Sequence, residues 1–227
     1  MQKPFVKYED NHLLIVEKPS GWLVQRDNTG DESLTDWATE YIRKKYQKPG
    51  NVFCQPCHRL DRPVSGLVVF ARTSKGLERM NKLFRDQEVE KTYLAIVDGA
   101  PKNPEASLTH YLDKNSEKNK AHAYAKPKGN AKKAILSYSM LASLGKVSLL
   151  EVKPKTGRPH QIRIQMRENS TPIRGDIKYG FNKPNADKSI HLHAYKLAFT
   201  HPVKQEPIKI ISKPKWADFQ DFINELD

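Results

Sequence analysis

One aspartate sits among charges that would keep it ionised. The stretch Cys57-His58-Arg59-Leu60-Asp61-Arg62-Pro63-Val64-Ser65-Gly66-Leu67 places Asp61 between Arg59 and Arg62, with His58 close by, and runs into the apolar Val68-Val69-Phe70-Ala71. A carboxylate near guanidinium groups holds its charge at neutral pH and can serve as nucleophile or proton acceptor. The same acid also reads as a turn former or as half of a salt bridge. The apolar run predicts a buried strand, so this charge sits at the edge of a core.

A second stretch, Lys155-Thr156-Gly157-Arg158-Pro159-His160-Gln161-Ile162-Arg163, reads by itself as a basic patch carried by Arg158, His160 and Arg163. Pro159 suits the first turn of a short helix with Ile162 and Met166 on one face; Ile162-Ile164-Met166 also alternates like a strand, and the helix is the expectation. Tyr93 shares a face with Lys91 in the alternating segment Val89 to Val97, where a tyrosine is more often packing than chemistry. Cys54-Gln55-Pro56-Cys57-His58 matches a C-x-x-C-H haem-attachment pattern or half a zinc site. Haem attachment requires an export signal, and zinc requires two more ligands, with His191 and His193 the paired candidates. Those two alternate on a predicted strand, where contact with core or backbone is the expectation. The reading adopted is two reduced thiols ahead of a functional histidine, with no metal or haem.

The elements that must position these residues follow from pattern. His12 to Glu17 predicts a strand ending at the turn Lys18-Pro19-Ser20-Gly21. Ser33 with Asp36, and Leu34, Trp37, Ala38, Tyr41 and Ile42, predict a capped amphipathic helix over about 33 to 46. Its Arg43-Lys44-Lys45 end complements the helix dipole or touches phosphate. Thr73 or Ser74 caps a second helix with Leu77, Met80, Leu83 and Phe84 toward the core. From Pro101 to Lys133 the chain is polar, a hairpin or loop region with strand-like pieces at 108–112 and 122–125. Its lysines 114, 118, 120, 126, 128, 132 and 133 either track phosphates or are merely solvated. Ala134 to Leu141 and Lys146 to Val152 predict an antiparallel pair around Gly145. Ile190 to Pro202 predicts a long strand, and Pro214 starts a terminal helix bearing Trp216, Phe219, Phe222, Ile223 and Leu226.

The 227 residues suffice for a sizeable core, and 39 Lys and Arg against 26 Asp and Glu leave a formal charge of +13. Such a surface suits a polyanion: nucleic acid, an anionic membrane and acidic proteins all fit. No apolar run approaches the ~20 residues of a membrane span, and the start has no signal-peptide core. A cytoplasmic chain without membrane contact is expected, organised as a single catalytic domain over residues 1–227 with no internal repeat or interdomain linker.

Three stretches then converge. His58-Arg59-Leu60-Asp61-x-x-x-Ser65-Gly66, Lys91-x-Tyr93-x-Ala95 and Thr156-Gly157-Arg158-x-His160-Gln161-Ile162-Arg163 resemble, in order, the motifs of the RluA family of RNA pseudouridine synthases. Lys18-Pro19-x-Gly21, Gly175-Asp176-x-x-Tyr179-Gly180 and Ile190 to Pro202 add to the resemblance, which runs from about Leu13 to Trp216. It implies an α+β fold with a long, bent, mixed, mostly antiparallel sheet flanked by helices and loops. It implies isomerisation of uridine in ribosomal RNA, transfer RNA or both, with no cofactor. By match of position Asp61 is the catalytic residue, Arg163 its ion-pair partner and Tyr93 the ring that stacks on the flipped base. Asp61 would either attack the base or ribose covalently or remove a ribose proton. Arg59 would fill the gap left by the base, and Ile162 would pack on its other side. Lys18 would position phosphate, and His58, Arg62, Lys91, Arg158, His160 and Gln161 complete the expected substrate contacts. Nothing before residue 12 could hold the small N-terminal RNA-binding domain of many relatives, so a stand-alone catalytic form, acting as a monomer, is expected. Val64 departs from the threonine often found before Ser-Gly, which removes one hydrogen bond of about 0.5–1.5 kcal/mol. The rival reading is a non-catalytic RNA-binding module of the same fold.

Overall fold

The computed structural model describes residues 2–115 and 120–224, so the expectations for Lys118, for Leu226 and for the side chain of Ile223 lie outside the described residues. In chain order the elements are β1 (Phe5–Glu9), β2 (Leu13–Lys18), α1 (Leu34–Lys45), β3 (Gln55–Pro56), β4 (Ser65–Ala71), α2 (Ser74–Arg85), β5 (Glu90–Asp98), β6 (Glu105–Asn115), β7 (Lys120–Tyr124), β8 (Lys132–Leu144), β9 (Val147–Pro154), α3 (Gln161–Glu168), a 3-10 turn (Ile177–Tyr179), β10 (Leu192–Thr200), β11 (Pro207–Ile211) and α4 (Phe219–Asn224). Helices beside mostly antiparallel strands make this an α+β protein. The chain divides into two compact units, Met1–Glu90 with Ala194–Lys213, and Lys91–His193 with Pro214–Asp227.

In the first unit β1, β2, β4 and β10 lie side by side in that order, with β11 on β10 and β3 on β4. The pairs β1–β2, β2–β4 and β10–β11 are antiparallel. Leu13 to Val16 and Leu67 to Ala71 are all fully buried. Their unbroken apolar runs therefore belong to strands covered on both faces. One face of Leu13, Ile15, Leu67 and Val69 packs with Met80 of α2, Leu197 and Phe199 of β10 and Ile208 of β11. The helix starts fall where the caps predict. Ser33 Oγ accepts the Asp36 N–H while the Asp36 carboxylate accepts the Ser33 N–H, a reciprocal cap of about 1 kcal/mol. Thr73 caps α2 through the Gly76 N–H. Besides the two-residue β3, the strands that the pattern does not announce are β1 and β11. Their mixed burial, with only Ile208 buried on β11, leaves no clean apolar alternation to read.

In the second unit the order is β5, β9, β8, β6, β7, each antiparallel to the next. The polar stretch from Pro101 to Lys133 is thus largely sheet, with β6 running 11 residues. A small apolar face carries it: Leu112, Ala121 and Ala134 pack with Ile164 of α3 and with Tyr179. Lys114 and Lys133 are exposed, and for Lys133 alternation is the reason, since Ala134 and Leu136 take the buried face of β8. The terminal helix is shorter than expected, for Pro214 and Trp216 precede it in irregular chain. There the Trp216 ring lies against His191 and His193, at centroid distances of 5.1 and 6.1 Å. His191 lies one residue ahead of β10, so the two histidines do not alternate along that strand; they make the packing contacts expected of them.

Candidate active site

Asp61 occupies the turn that enters β4, half-buried, its carbonyl accepting the Val64 N–H at 3.0 Å. The turn after β2 grips this backbone at successive residues. Gly21 N–H and Lys18 Nζ both donate to Arg62 O, at 2.9 and 3.2 Å, and Ser20 Oγ donates to Pro63 O at 2.9 Å. Arg62 returns a bond from Nε to Gly21 O at 3.1 Å and pairs with Asp31 at 2.6 Å. On the other flank Gly66, at φ +116°, lets β4 approach β10 closely: a Cβ there would fall 2.5 Å from Ala194 N. The main chain around Asp61 is therefore held on both sides, by the Gly21 N–H with the Lys18 and Ser20 side chains and by the close approach at Gly66.

Lys18 corrects the sequence reading. It is wholly buried, and its Nζ also donates to the carbonyls of Pro19 (3.1 Å) and Trp22 (2.8 Å). A side chain with no exposed surface and three carbonyl partners ties backbone and does not reach phosphate. Burial pushes its ammonium down to about 7, the Asp61 charge opposing that shift and Arg62 adding to it. His58 is also partly committed, since its Nε2 accepts the Val69 N–H at 3.1 Å and its ring lies 4.8 Å from that of Phe84. Arg59 is exposed. Cys54 and Cys57 are free thiols that burial pushes up to about 12, which leaves them protonated and unreactive at neutral pH. Among the described residues no group of three or more His, Cys, Asp or Glu could hold a metal ion.

The second unit carries the other expected residues. Gln161, 4% exposed, is the fastener of its motif: Oε1 accepts from Arg158 N–H (3.0 Å) and Thr156 Oγ1 (2.7 Å), and Nε2 donates to Ile135 O (3.0 Å). Its amide is thereby spent on the fold and not on RNA, a second correction. Arg158 Nε donates to Lys133 O at 3.1 Å. His160 precedes α3 with φ 53°, a left-handed conformation costly for a residue with a side chain, and it turns the chain into the helix. Ile162 is buried. Arg163, 6% exposed, is held by Asp176 in a bidentate pair, Nε to Oδ2 at 2.7 Å and Nη2 to Oδ1 at 2.8 Å, with the Tyr179 ring 5.0 Å from its guanidinium. Tyr93, half-buried on β5, stands opposite Val152 of β9. Lys91 is half-buried, and burial lowers its ammonium.

The structure thus gathers Lys18, Asp61 and Arg62 at one turn of the first unit, and Arg158, His160, Gln161, Ile162 and Arg163 at one turn of the second. Sequence reasoning did not assign Asp176 and Tyr179. Their signal was present as Gly175-Asp176-x-x-Tyr179-Gly180, which had a motif but no role; a buried arginine in need of a carboxylate would have supplied one.

Residues 12–168 match the family described as RNA pseudouridylate synthase. The chain is 35% identical over 223 residues to the tRNA pseudouridine synthase C of Vibrio cholerae serotype O1, covering 90% of this chain and 88% of that one. It is 33% identical over 228 residues to the ribosomal large subunit pseudouridine synthase C of Buchnera aphidicola, covering 97% and 70%. The solved structure of human RNA pseudouridylate synthase domain containing 4 shares its fold, with a TM-score of 0.78 at 24% identity, covering 97% of this chain and 92% of that one.

Proposed function

Since this chain belongs to the RNA pseudouridylate synthase family and is an RNA pseudouridine synthase, we propose that it acts on uridine in transfer RNA or ribosomal RNA, with Asp61 as its catalytic carboxylate. Relatives are named for both RNA classes. The observation that carries the assignment is the setting of Asp61: a half-buried acid on a turn whose main chain is gripped by Lys18, Ser20 and Gly21. An acid that must meet one carbon of one nucleotide gains from a backbone that does not move.

In the reaction the bond from the ribose C1′ to the base N1 breaks, one from C1′ to C5 forms, the C5 proton leaves and N1 gains one. Tyr93 stacks on the extruded base, Arg163 acts with Asp61, and the exposed Arg59 enters the gap. The isomerisation adds and removes no group, so the enzyme works without metal or redox cofactor. It acts as a monomer in the cytoplasm, its two units serving as one catalytic domain over residues 1–227.

Transfer RNA and ribosomal RNA labelled with 5-[³H]uridine test this. Wild type is expected to release tritium from at least one of them and Asp61→Asn to release none. Tight RNA binding by wild type with no release from either would favour the non-catalytic module, and release by Asp61→Asn would remove Asp61 from the chemistry.

A further inference from the structure

We infer that Asp31 is an internal competitor of RNA: its carboxylate holds the Arg62 guanidinium beside Asp61 in the free protein, and an RNA phosphate must displace it. The inference rests on the reading of the chain as an enzyme acting on RNA and adds a residue that sets substrate affinity. A nucleotide brought to Asp61 carries a phosphate on either side, and Arg62 is the next residue along.

The guanidinium has two partners of different kinds. Nε donates to Gly21 O at 3.1 Å, which anchors the head to the turn after β2, and Nη2 donates to Asp31 Oδ2 at 2.6 Å. The first is a backbone contact. The second is open to water, with the side chains of Arg62 and Asp31 43% and 49% exposed. An ion pair so open contributes little to stability, because each partner is well hydrated when alone. It is therefore exchanged at low cost, and a phosphate presents two oxygens to a guanidinium as a carboxylate does.

A closed loop presents the acid. Residues 25–32 are all exposed, yet the base of the loop is fastened by Leu34 N–H to Leu23 O at 2.7 Å and Thr35 N–H to Val24 O at 3.1 Å. At the tip Asp27 Oδ1 accepts the Thr29 N–H (2.9 Å) and hydroxyl (2.5 Å), and that hydroxyl lies 3.2 Å from Asp31 Oδ2. Thr29 thus gathers two carboxylates. Its bonds are the main cause that lowers the Asp27 carboxyl, and the Arg62 charge adds to them. Arg62 therefore stands in the field of two anions, in a chain whose formal charge is +13. Acids at this place oppose the pull that the rest of the surface exerts on a polyanion.

Fluorescence anisotropy at low salt, with unmodified transfer RNA and ribosomal large-subunit RNA transcripts, tests this. Asp31→Asn is expected to tighten binding by about two- to fivefold, the worth of one exposed ion pair. Glu32→Gln removes an equal charge from the neighbouring exposed residue and is expected to have the smaller effect, since that acid does not pair with Arg62. Asp31→Asn with Arg62→Gln is expected to return affinity to the wild-type level or below. Equal gains from Asp31→Asn and Glu32→Gln would reduce the effect to net charge, and a double variant as tight as Asp31→Asn would take Arg62 out of it. Either result, or no gain from Asp31→Asn, overturns the inference. The readout is binding, so a protein that binds RNA without releasing tritium fails the enzymatic reading while this inference stands or falls on these affinities. A wild type that binds neither RNA overturns both.

Discussion

The Asp61 turn is held at its backbone, the Arg163 turn at its side chain. Around Asp61 the carbonyls at 62 and 63 are gripped from the 18–21 turn, and Gly66 brings β4 against β10. Arg163 is placed by side chains, with Asp176 and Tyr179 around its guanidinium and Gln161 fastening the loop before it. At the Asp61 turn the hold falls on the backbone of the residues that follow it, Arg62 and Pro63. The arginine is a buried charge, which stays buried only while an opposite charge is aligned with it.

The largest expected effect breaks the second arrangement. Arg163→Met leaves Asp176 buried without this partner and is expected to lower the unfolding free energy by about 3–5 kcal/mol in urea denaturation. Arg163→Met with Asp176→Leu should recover more than half of that loss; no recovery would mean the pair is not what buries the charge. Gly66→Ala tests the first arrangement, because the added methyl meets the Ala194 backbone at a positive φ. A cost of about 2–3 kcal/mol is expected, with tritium release falling in step at the temperature where the protein begins to unfold; unchanged stability would show that the close approach is relaxed at no cost.

Lys18→Met sharpens the comparison through pH. The folded-state ammonium is lowered to about 7 from 10.5, so between those values the unfolded chain binds more protons and stability rises with pH. Relative to Lys18→Met, wild type should gain about 2 kcal/mol from pH ~7 to ~9 in parallel urea melts. A flat or falling difference would mean that the three carbonyls hold the ammonium charged throughout. The smallest effect is expected from Cys54→Ser with Cys57→Ser. A stability cost near 1 kcal/mol for the buried hydroxyls and an unchanged isomerisation rate should result; loss of turnover with the fold intact would give the thiols a role.

Much of this arrangement was legible beforehand. The helix starts at Ser33 and Thr73, the buried runs of β2 and β4 and the hairpin around Gly145 follow from caps, apolar continuity and turn residues within a few positions of one another. The short helix after His160 was also legible, although it begins at Gln161, beyond Pro159. The polar run from 101 to 133 shows its two strands only as short pieces at 108–112 and 122–125, because its sheet needs only a narrow apolar face and polar residues fill the other positions. Pro214 was misread as a helix start because its segment is held by Trp216 against two histidines and not by helical bonds.

The sequence alone determined which elements form and which family motifs they carry, since caps, apolar periodicity and motif order depend on near neighbours. Only the tertiary structure decided what each charged side chain is for. Lys18 meets a carbonyl 44 residues away, and Arg163 meets a carboxylate 13 residues on. Whether a lysine faces phosphate or backbone, and which acid answers a buried arginine, is set by desolvation and alignment in three dimensions, which spacing along the chain does not encode.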